Sequence, residues 1–331
     1  METGRKEMTL KGLEIFRQVA KNGSVQEVAE DCGLSISTVS HHLRSLENSL
    51  GVDLMDHNRR PMVLTPAGTI FLRYVEDGLR MIRRGEFELT SGNLIEARNL
   101  RLGIVDDFDS EIAPELAQLL AGSMPNCVFK HHTRPSHEIL GLLVDNDLDI
   151  CVSSRPLNEL PGLIEYPLLR DPFIVAVPIS CDVPPADLLA GKGDLPFLRY
   201  SQSQMIGRIV DIQLRRLRVS LPNRFEFESN QSILGVVAAA GGWAITTPSS
   251  YMRARRFHHQ LAIHPFPGPS FSRTISLFTT ETYVQAIAET VLSALRRLIR
   301  LRFVEPAVAE LPWIADSFFL MPEASHDIAN S

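Results

Sequence analysis

The sequence is poor in cysteine and lacks any long apolar run. Its four cysteines, at positions 32, 127, 151 and 181, lie far apart and form no CxxC pair. This spacing predicts buried free thiols rather than a disulfide framework or a zinc site. No stretch approaches the roughly 18 uninterrupted apolar residues that a membrane helix needs, and the first residues, "METGRKEMTLKGLEIF", lack the pattern of a signal peptide. We therefore expect a cytoplasmic protein with no membrane contact.

The chain also lacks an excess of positive charge. It carries 33 Lys and Arg against 39 Asp and Glu, a formal net charge of −6, so any nucleic-acid binding must come from a local patch. No GxSxG, Walker or HExxH motif and no nucleophile with an assignable base is present, which argues against an enzyme. With 331 residues, 44% of them hydrophobic, the chain is long enough for two or three domains.

Apolar residues at helical spacing predict three short helices between Leu10 and Leu50. Ser24 and Ser35 stand where N-caps of the second and third helices belong. The turn before the third helix, "CGLS", is short and contains Gly33. Two helices joined by such a turn make a helix-turn-helix.

The third helix, "ISTVSHHLRSLENSL", raises the question of what its adjacent histidines do. Its apolar set (Ile36, Val39, Leu43, Leu46 and Leu50) defines a buried side; His41 lies nearly opposite that side and His42 about 100° away from His41, so one metal ion does not readily hold both. The exposed face is either a merely solvated surface or, in a helix-turn-helix, the face that enters the major groove. On the second interpretation the candidate DNA contacts are Ser35, Ser37, Thr38, His41, His42, Arg44 and Ser45.

The next segment, "LGVDLMDHNRRPMVLTPAG", predicts a β-hairpin with a basic tip. Residues 52–55 and 62–64 read as strands, and Arg59 and Arg60 at the tip are suited to phosphate or minor-groove contacts. Thr65 and Pro66 then mark the start of a helix expected to run from Ala67 to about Leu89. Its narrow apolar stripe, Phe71, Val75, Leu79 and Ile82, is typical of a helix that faces another helix.

The stretch "FRQVAKNGSVQEVAEDCGLSISTVSHHLRSLENSLGVDLMDHNRRPMVLTPAG" resembles, in the order and spacing of its landmarks, the winged helix-turn-helix of LysR-type transcriptional regulators. The resemblance implies a winged helix-turn-helix at 8–65, followed by a linker helix and hinge at 66–98 that join protomers. It also implies a homodimer or homotetramer that binds double-stranded DNA with interrupted dyad symmetry. RNA polymerase would be a further partner of an activator. The histidine pair departs from the family's usual recognition helix and suggests an altered operator preference.

From residue 99 onward, short apolar runs alternate with helical periods, which predicts an α/β fold with mostly parallel strands. The resemblance extends to this region, resting on "LDICVSS", "DPFIVAVP" and "VVAAAGGWAITTP". It implies a two-lobed effector-binding domain at 99–303, with two Rossmann-like lobes. The first lobe comprises 99–164 and 268–303, and the second comprises 165–267. The implied fold class is thus α/β with an all-α, winged amino-terminal domain.

The resemblance also implies a small-molecule effector bound between the lobes. Residues in the loops that follow strands are the candidate contacts: Asp107, Ser136, Tyr200, Ser201, Gln202, Asn230 and Thr246. Hydroxyls and amides at helix starts favour an anion. Acidic residues at 106, 107 and 109 would repel one unless an amine or Arg134 intervenes, so the charge of the effector stays open. We expect neither a cofactor nor a metal ion.

Two kinds of alternative function remain at this stage. One is a regulator of the same fold that needs no effector or that senses oxidants through Cys181, in the loop "VPISCDVPP". A remoter one is a solute-binding protein or an enzyme built on the α/β domain. The segment at 304–331 continues past the usual end of the family, and its Trp313, Phe318 and Phe319 suggest docking either on its own domain or on a partner subunit.

Overall fold

The computed structural model describes residues 8–90, 99–280 and 285–322. The chain divides into two compact units, residues 1–89 and 90–331, which are described separately. Among the described residues, no helix combines the length and the apolar character that crossing a membrane requires. The α-helices of the chain are α1 (Leu10–Asn22), α2 (Val25–Cys32), α3 (Ile36–Leu50), α4 (Pro66–Thr90), α5 (Ala113–Ser123), α6 (Ser136–Val144), α7 (Pro185–Leu189), α8 (Met205–Arg216), α9 (Asn230–Ala238), α10 (Pro248–Arg253), α11 (Gln285–Ile299) and α12 (Glu305–Glu310).

The strands are β1 (Met55–Asp56), β2 (Val63–Leu64), β3 (Asn99–Ile104), β4 (Val128–Thr133), β5 (Ile150–Ser154), β6 (Leu163–Pro172), β7 (Ile174–Pro178), β8 (Leu198–Tyr200), β9 (Phe225–Phe227), β10 (Ala244–Thr246), β11 (Leu261–Pro265), β12 (Ser272–Thr280) and β13 (Phe319–Leu320).

The smaller unit confirms the three predicted helices and their caps. The hydroxyl of Ser24 accepts from the Glu27 amide at 3.3 Å, and that of Ser35 accepts from the Thr38 amide at 3.1 Å. Gly33 ends α2 in the left-handed conformation, which an L side chain adopts only with strain. The hairpin strands β1 and β2 are shorter than predicted, with two residues each.

The long helix α4 begins at Pro66, as predicted, with the Thr65 hydroxyl accepting from the Gly68 amide at 3.0 Å. A Cβ at Gly68 would overlap the Leu54 carbonyl oxygen, so glycine here permits close contact between α4 and the hairpin. Val75 and Leu79 are buried with the core of the three short helices, and Phe71 lies 5.8 Å from Phe16 between ring centroids. The predicted stripe therefore packs largely on its own unit.

A different row on α4 is exposed. Ile70, Tyr74 and Met81 have exposed fractions of 54%, 70% and 61%, and Ile82, the last member of the predicted stripe, is 43% exposed. Ile70, Tyr74 and Met81 follow one another at +4 and +7, which is close to a heptad spacing on one side of the helix. This apolar surface is the part of α4 that remains available to a partner.

The larger unit contains a six-stranded sheet in the order β13-β6-β12-β5-β3-β4. Strand β3 runs parallel to β4 and β5, whereas β12 runs antiparallel to both β5 and β6. A second, three-stranded sheet has the order β10-β7-β11 and is antiparallel throughout, and β8 pairs with β9 in parallel. The prediction of mostly parallel strands holds for β3, β4 and β5 and for β8 and β9. The two larger sheets nevertheless contain strands of both directions, because β7 and β12, which follow the chain crossings between the lobes, run antiparallel to their neighbours.

The two sheets define two lobes, and the chain crosses between them at β6. The expected lobe boundary at 164 falls inside this strand, whose pairing with β12 continues to Pro172. Strand β7, the centre of the second sheet, begins two residues later at Ile174. Asp171 therefore lies at the crossing point, next to Arg273 of β12 in the strand pairing.

The carboxyl-terminal extension docks on its own unit. Strand β13 pairs with β6, and the Met321 amide donates to the Leu168 carbonyl at 2.9 Å. Ile314 and Phe318 are fully buried, whereas Trp313 is 43% exposed. Of the two alternatives left open by the sequence, the structure shows docking on the chain itself for the described residues up to 322.

Candidate DNA interface and effector site

The polar face of α3 projects from the smaller unit, as predicted. Val39, Leu43 and Leu46 are buried, while Ser37, His41 and Arg44 are exposed and Thr38, His42 and Ser45 are partly so. The rings of His41 and His42 are 6.2 Å apart between centroids and tilted by 60°. The start of the helix is organised by Ser35, whose hydroxyl also lies 2.8 Å from that of Ser37 and 2.7 Å from that of Thr38.

The prediction that Ile36 belongs to the buried side of α3 was wrong. Ile36 is 54% exposed at the start of the helix, next to the candidate contacts Ser35 and Ser37. An exposed aliphatic side chain at the start of a recognition helix is suited to a thymine methyl group. The periodicity of the sequence assigned Ile36 to the core because it falls three residues before Val39, and nothing local distinguished it.

The hairpin tip carries Arg59 and Arg60 on the surface. The Arg59 Nε lies 3.3 Å from an Asp56 carboxylate oxygen, and the Arg60 Nη1 donates to the His57 carbonyl at 2.9 Å. Both residues are exposed, and an exposed ion pair such as Arg59–Asp56 contributes little stability and exchanges readily for a phosphate contact.

Glu47 positions the hairpin against α3, a role that the sequence analysis missed. Its Oε1 accepts from the Leu54 and Met55 amides at 2.9 and 3.1 Å, and its Oε2 lies 2.9 Å from the His57 Nε2. The ligand atoms of Glu47, Asp53 and His57 also lie within 4.8 Å of one another, a spacing that suits a metal ion. The hydrogen bonds already satisfy the buried Glu47 carboxylate, so its burial does not require a metal ion. An acidic residue inside an otherwise apolar helical face was the available signal.

In the larger unit, one pair of predicted effector contacts joins the two lobes, and the others form pairs within one lobe. The Asp107 carboxylate accepts from Asn230 at 2.8 Å, and the Tyr200 and Thr246 hydroxyls are 2.9 Å apart. The Ser136 hydroxyl accepts from the Ser154 amide at 3.3 Å. All these residues are buried. The structure thus brings Asp107 and Asn230 into contact, although they are distant in sequence, and each of these buried side chains is bonded to another protein group rather than facing an open space.

Two other predicted contacts belong to a local turn. Ser201 accepts from the Ser203 hydroxyl at 3.0 Å and amide at 3.3 Å, and the Gln202 carbonyl accepts from Arg208 at 2.8 Å. Gly207 lies against this turn, where a Cβ would overlap the Ser201 carbonyl oxygen. In the part of the chain that the structure describes, the side chains of Ser201 and Gln202 form no hydrogen bond to Asp107 or Asn230.

Arg273 is bonded to several of the buried side chains between the lobes, and the sequence analysis did not predict it as a site residue. Its Nη2 donates to Asp107 at 3.0 Å and its Nε to Asp171 at 2.9 Å. It also donates to Ser249 at 2.9 Å and to Thr247 at 3.2 Å, both in the second lobe. All these groups are at least about nine-tenths buried. The available signals were a lone arginine in the apolar strand "SRTISLFTT" and the aspartate preceding "PFIVAVP".

Burial and charge act in opposite directions on this cluster. Burial raises the pKa of Asp171 above its ordinary value, although Arg273 and the Ser249 hydroxyl oppose that rise. Burial alone would lower the pKa of Arg273, but the charges of Asp107 and Asp171 raise it, so the guanidinium stays charged. The guanidinium of Arg273 is therefore a buried cation that pairs with the carboxylates of both Asp107 and Asp171.

The acidic residues of the first loop each have a partner within the chain. Asp106 forms a 2.6 Å ion pair with Arg253 of the second lobe, and Asp109 accepts from the Thr133 hydroxyl. Asp107 is paired with Arg273. The negative charges of Asp106 and Asp107, which the sequence suggested would repel an anion, are therefore paired with internal arginines. Arg134 instead lies 3.9 Å from Glu138 and donates to the Thr133 carbonyl.

The carboxyl-terminal extension contacts both lobes. Its strand β13 joins the first lobe through β6, while Glu310 of α12 accepts from the Tyr251 hydroxyl at 2.5 Å and lies 3.1 Å from the His258 Nδ1. Tyr251 and His258 belong to the second lobe and stack with 3.8 Å between their centroids. The extension thereby adds to the contacts that hold the lobes together.

Comparison with known proteins agrees with this architecture of a winged helix-turn-helix and a two-lobed α/β domain. Residues 10–69 match the family model "Bacterial regulatory helix-turn-helix protein, lysR family", and residues 96–300 match the "LysR substrate binding domain". The chain belongs to the LysR family and is a LysR-type DNA-binding transcriptional regulator with an effector-binding domain.

Among curated relatives, a probable nitrogen assimilation transcriptional activator of Synechococcus elongatus is 29% identical over 284 residues, which cover 83% of this chain and 89% of the relative. The dual regulator OxyR of Escherichia coli is 25% identical over 170 residues, 51% of this chain and 55% of OxyR. Among solved structures, a full-length OxyR variant from Pseudomonas aeruginosa has a TM-score of 0.62 at 22% identity and covers 88% of this chain and 95% of its own. At that identity the likeness shows the fold alone.

Proposed function

We propose that the smaller unit reads operator DNA with the exposed face of α3 in the major groove and with the hairpin tip on the backbone. Ser37, Thr38, His41 and Arg44 would contact bases or nearby phosphates, with Ser35, His42 and Ser45 at the margins. The observation that carries this proposal is a polar helix face flanked by an exposed Arg59–Arg60 tip. Ile36 adds an apolar contact to the same face.

The same proposal includes pairing of two protomers through α4. Its exposed row of Ile70, Tyr74 and Met81 is apolar and has no contact within the described smaller unit that buries it. A second copy of this row would remove it from water and give two recognition helices related by a two-fold axis. Such an arrangement requires an operator with matching, interrupted symmetry. We propose that the chain acts through binding rather than through catalysis.

The larger unit is proposed to respond to a small molecule between its lobes. Asp107 and Asn230 support this site because the hydrogen bond between them joins the two lobes. Ser136 of the first lobe and Tyr200 and Thr246 of the second lobe would complete it. Ser201 and Gln202 would contribute from the adjoining turn. A ligand can change DNA binding only if it favours one arrangement of the lobes or protomers over another.

The DNA proposal is tested by measuring binding of labelled upstream DNA across a range of salt concentrations. Replacing Arg59 and Arg60 together by alanine should weaken binding about 10- to 100-fold and reduce the slope of log affinity against log salt by roughly 2, because two phosphate contacts are lost. The matched control replaces Lys192 and Arg215, which are exposed residues of the larger unit, and removes the same charge. Equal affinity and slope in the tip variant and the control would refute the hairpin assignment.

A further inference from the structure

The Asp107 carboxylate is enclosed by donors from separate parts of the larger unit. Its Oδ1 accepts from the Asn230 amide at 2.8 Å and from the Ser250 hydroxyl at 3.1 Å, and its Oδ2 accepts from the Arg273 guanidinium at 3.0 Å. All four residues are more than nine-tenths buried. A guanidinium, an amide and a hydroxyl directed at two carboxylate oxygens are a donor set suited to binding a carboxylate ligand. Asn230, Ser250 and Arg273 are called the carboxylate cradle below.

The carboxylate cradle is held in place independently of Asp107. Arg273 keeps its bonds to Asp171, Ser249 and Thr247 when the Asp107 bond is disregarded. The Ser250 hydroxyl lies 3.1 Å from that of Thr247, and Asn230 begins α9 behind its Ser229 N-cap. The three donors would therefore keep nearly the same positions if the Asp107 carboxylate were removed.

Asp107 reaches the cradle from the opposite lobe. It follows β3 in the first lobe, whereas Asn230 and Ser250 belong to α9 and α10 of the second lobe. Its carboxylate thus joins the two lobes, as a bound ligand between them would. We propose that the cradle is a carboxylate-binding site occupied by the chain's own Asp107, and that it binds a small monocarboxylate when the Asp107 side chain is withdrawn or removed.

The hydrogen-bond donors of the cluster, rather than its net charge, favour a carboxylate in that position. Asp107, Asp171 and Arg273 together carry two acids and one base in a buried place. Removing the Asp107 carboxylate leaves the neutral Asp171–Arg273 pair and removes the carboxylate acceptor of Asn230, Ser250 and Arg273. An external carboxylate would restore both the native charge and the native hydrogen bonds, whereas an ammonium ion would supply no acceptor for these donors.

This inference deepens the proposed effector site and rests on the proposed function only in treating the space between the lobes as a ligand site. It assigns small carboxylates as the ligand class and Asp107 as their internal competitor. In the wild-type chain, an anionic effector must displace Asp107 from Asn230, Ser250 and Arg273. The lobes are accordingly held closed by an internal group before any effector binds.

The test is chemical rescue of the full chain carrying Asp107→Ala, followed by calorimetry. Formate matches the carboxylate removed by this substitution. Formate at ten times its dissociation constant should raise the unfolding temperature of the larger unit by about 3–6 °C relative to equal sodium chloride. Wild type should show no such shift. Asp107→Asn should show none either, because its amide still fills the cradle.

A matched control is Asp149→Ala. Asp149 also pairs with an arginine, Arg101, but within the first lobe and with both side chains about one-fifth exposed. Formate should stabilise this variant far less, because the Arg101 guanidinium is accessible to water and keeps its bond to the Asn146 carbonyl. If Asp107→Ala leaves the larger unit unfolded in chloride, formate should restore its native circular dichroism.

Absence of a formate effect on Asp107→Ala, or an equal effect on Asp149→Ala, would overturn the inference. The calorimetric readout needs no DNA, so its failure is distinguishable from failure of the DNA proposal, which the Arg59 and Arg60 variants test. Conversely, rescue by formate in a chain that binds no DNA would support the cradle and contradict the regulator's proposed DNA contacts.

Discussion

The exposed face of α3 and the space between the lobes are built in opposite ways. The α3 face consists of neighbours on a single helix, and its polar side chains project into solvent with few partners. The space between the lobes contains side chains from positions 107 to 273, buried and bonded to one another. The first surface awaits an external partner, whereas the second already satisfies its polar groups internally.

Because of this difference, substitutions on the α3 face should change DNA binding, whereas substitutions among the buried side chains should change folding stability. A polar side chain on the α3 face can be replaced with little effect on folding, because water solvates the position in either case. A charged group in the space between the lobes cannot be replaced in this way, because removing one member of a buried ion pair leaves the charge of its partner uncompensated. Stability measurements and binding measurements should therefore respond to different residues in the two regions.

The largest expected effect is the loss of Arg273. Arg273→Met should lower the free energy of unfolding of the larger unit by about 3–5 kcal/mol, because Asp107 and Asp171 lose their shared cation. Denaturant titration of the full chain, followed in the larger unit, measures this loss. Arg215→Met is the matched control: its side chain is 78% exposed and pairs with Asp211 on the surface, so the expected loss is below about 1 kcal/mol. Similar losses of unfolding free energy in both variants would contradict the proposed difference between the buried cluster and the surface.

A smaller effect concerns the thiols of the larger unit. Burial, and secondarily the charge of Asp149, raise the pKa of Cys127 to about 11, and burial raises that of Cys151 still further. Because only the thiolate is nucleophilic, alkylation of Cys127 at pH 8 should be about 100-fold slower than that of an ordinary cysteine and should rise tenfold per pH unit up to about 11. Mass spectrometry after iodoacetamide treatment measures this rate, with the denatured chain as the reference. Rapid alkylation of Cys127 in the folded chain would contradict the raised pKa of its thiol.

The same contrast explains what the sequence could predict. The helices of the smaller unit, their serine caps and the exposed positions of His41 and Arg44 follow from a local 3.6-residue period, so they were found. Ile36 was wrongly predicted to be buried, because the helical period gives the spacing of apolar residues but does not show that packing ends before the first residue of the helix.

In the larger unit, the sequence did not predict β6, β8, β11 or β13 as strands. The segment "LIEYPLLRDP" mixes proline and charges with its apolar residues, and the two-residue β13 is defined only by pairing with β6. The convergence of Asp107 and Asn230 was expected from family resemblance rather than from local pattern. Arg273 escaped notice because its partners are 102 and 166 residues away along the chain. Long-range pairs of this kind leave no periodic signal.

The central claim is that α3 reads bases, and in vitro selection of bound duplexes from a random pool tests it most directly. Wild type should recover two symmetry-related half-sites. His41→Ala should lose preference at one position in each half-site, equivalent to about 1–3 kcal/mol of discrimination, while its unfolding free energy changes by less than about 0.5 kcal/mol. Identical selected sequences for both proteins would contradict the assignment of His41, and the absence of any half-site in the wild-type selection would contradict base reading by α3 altogether.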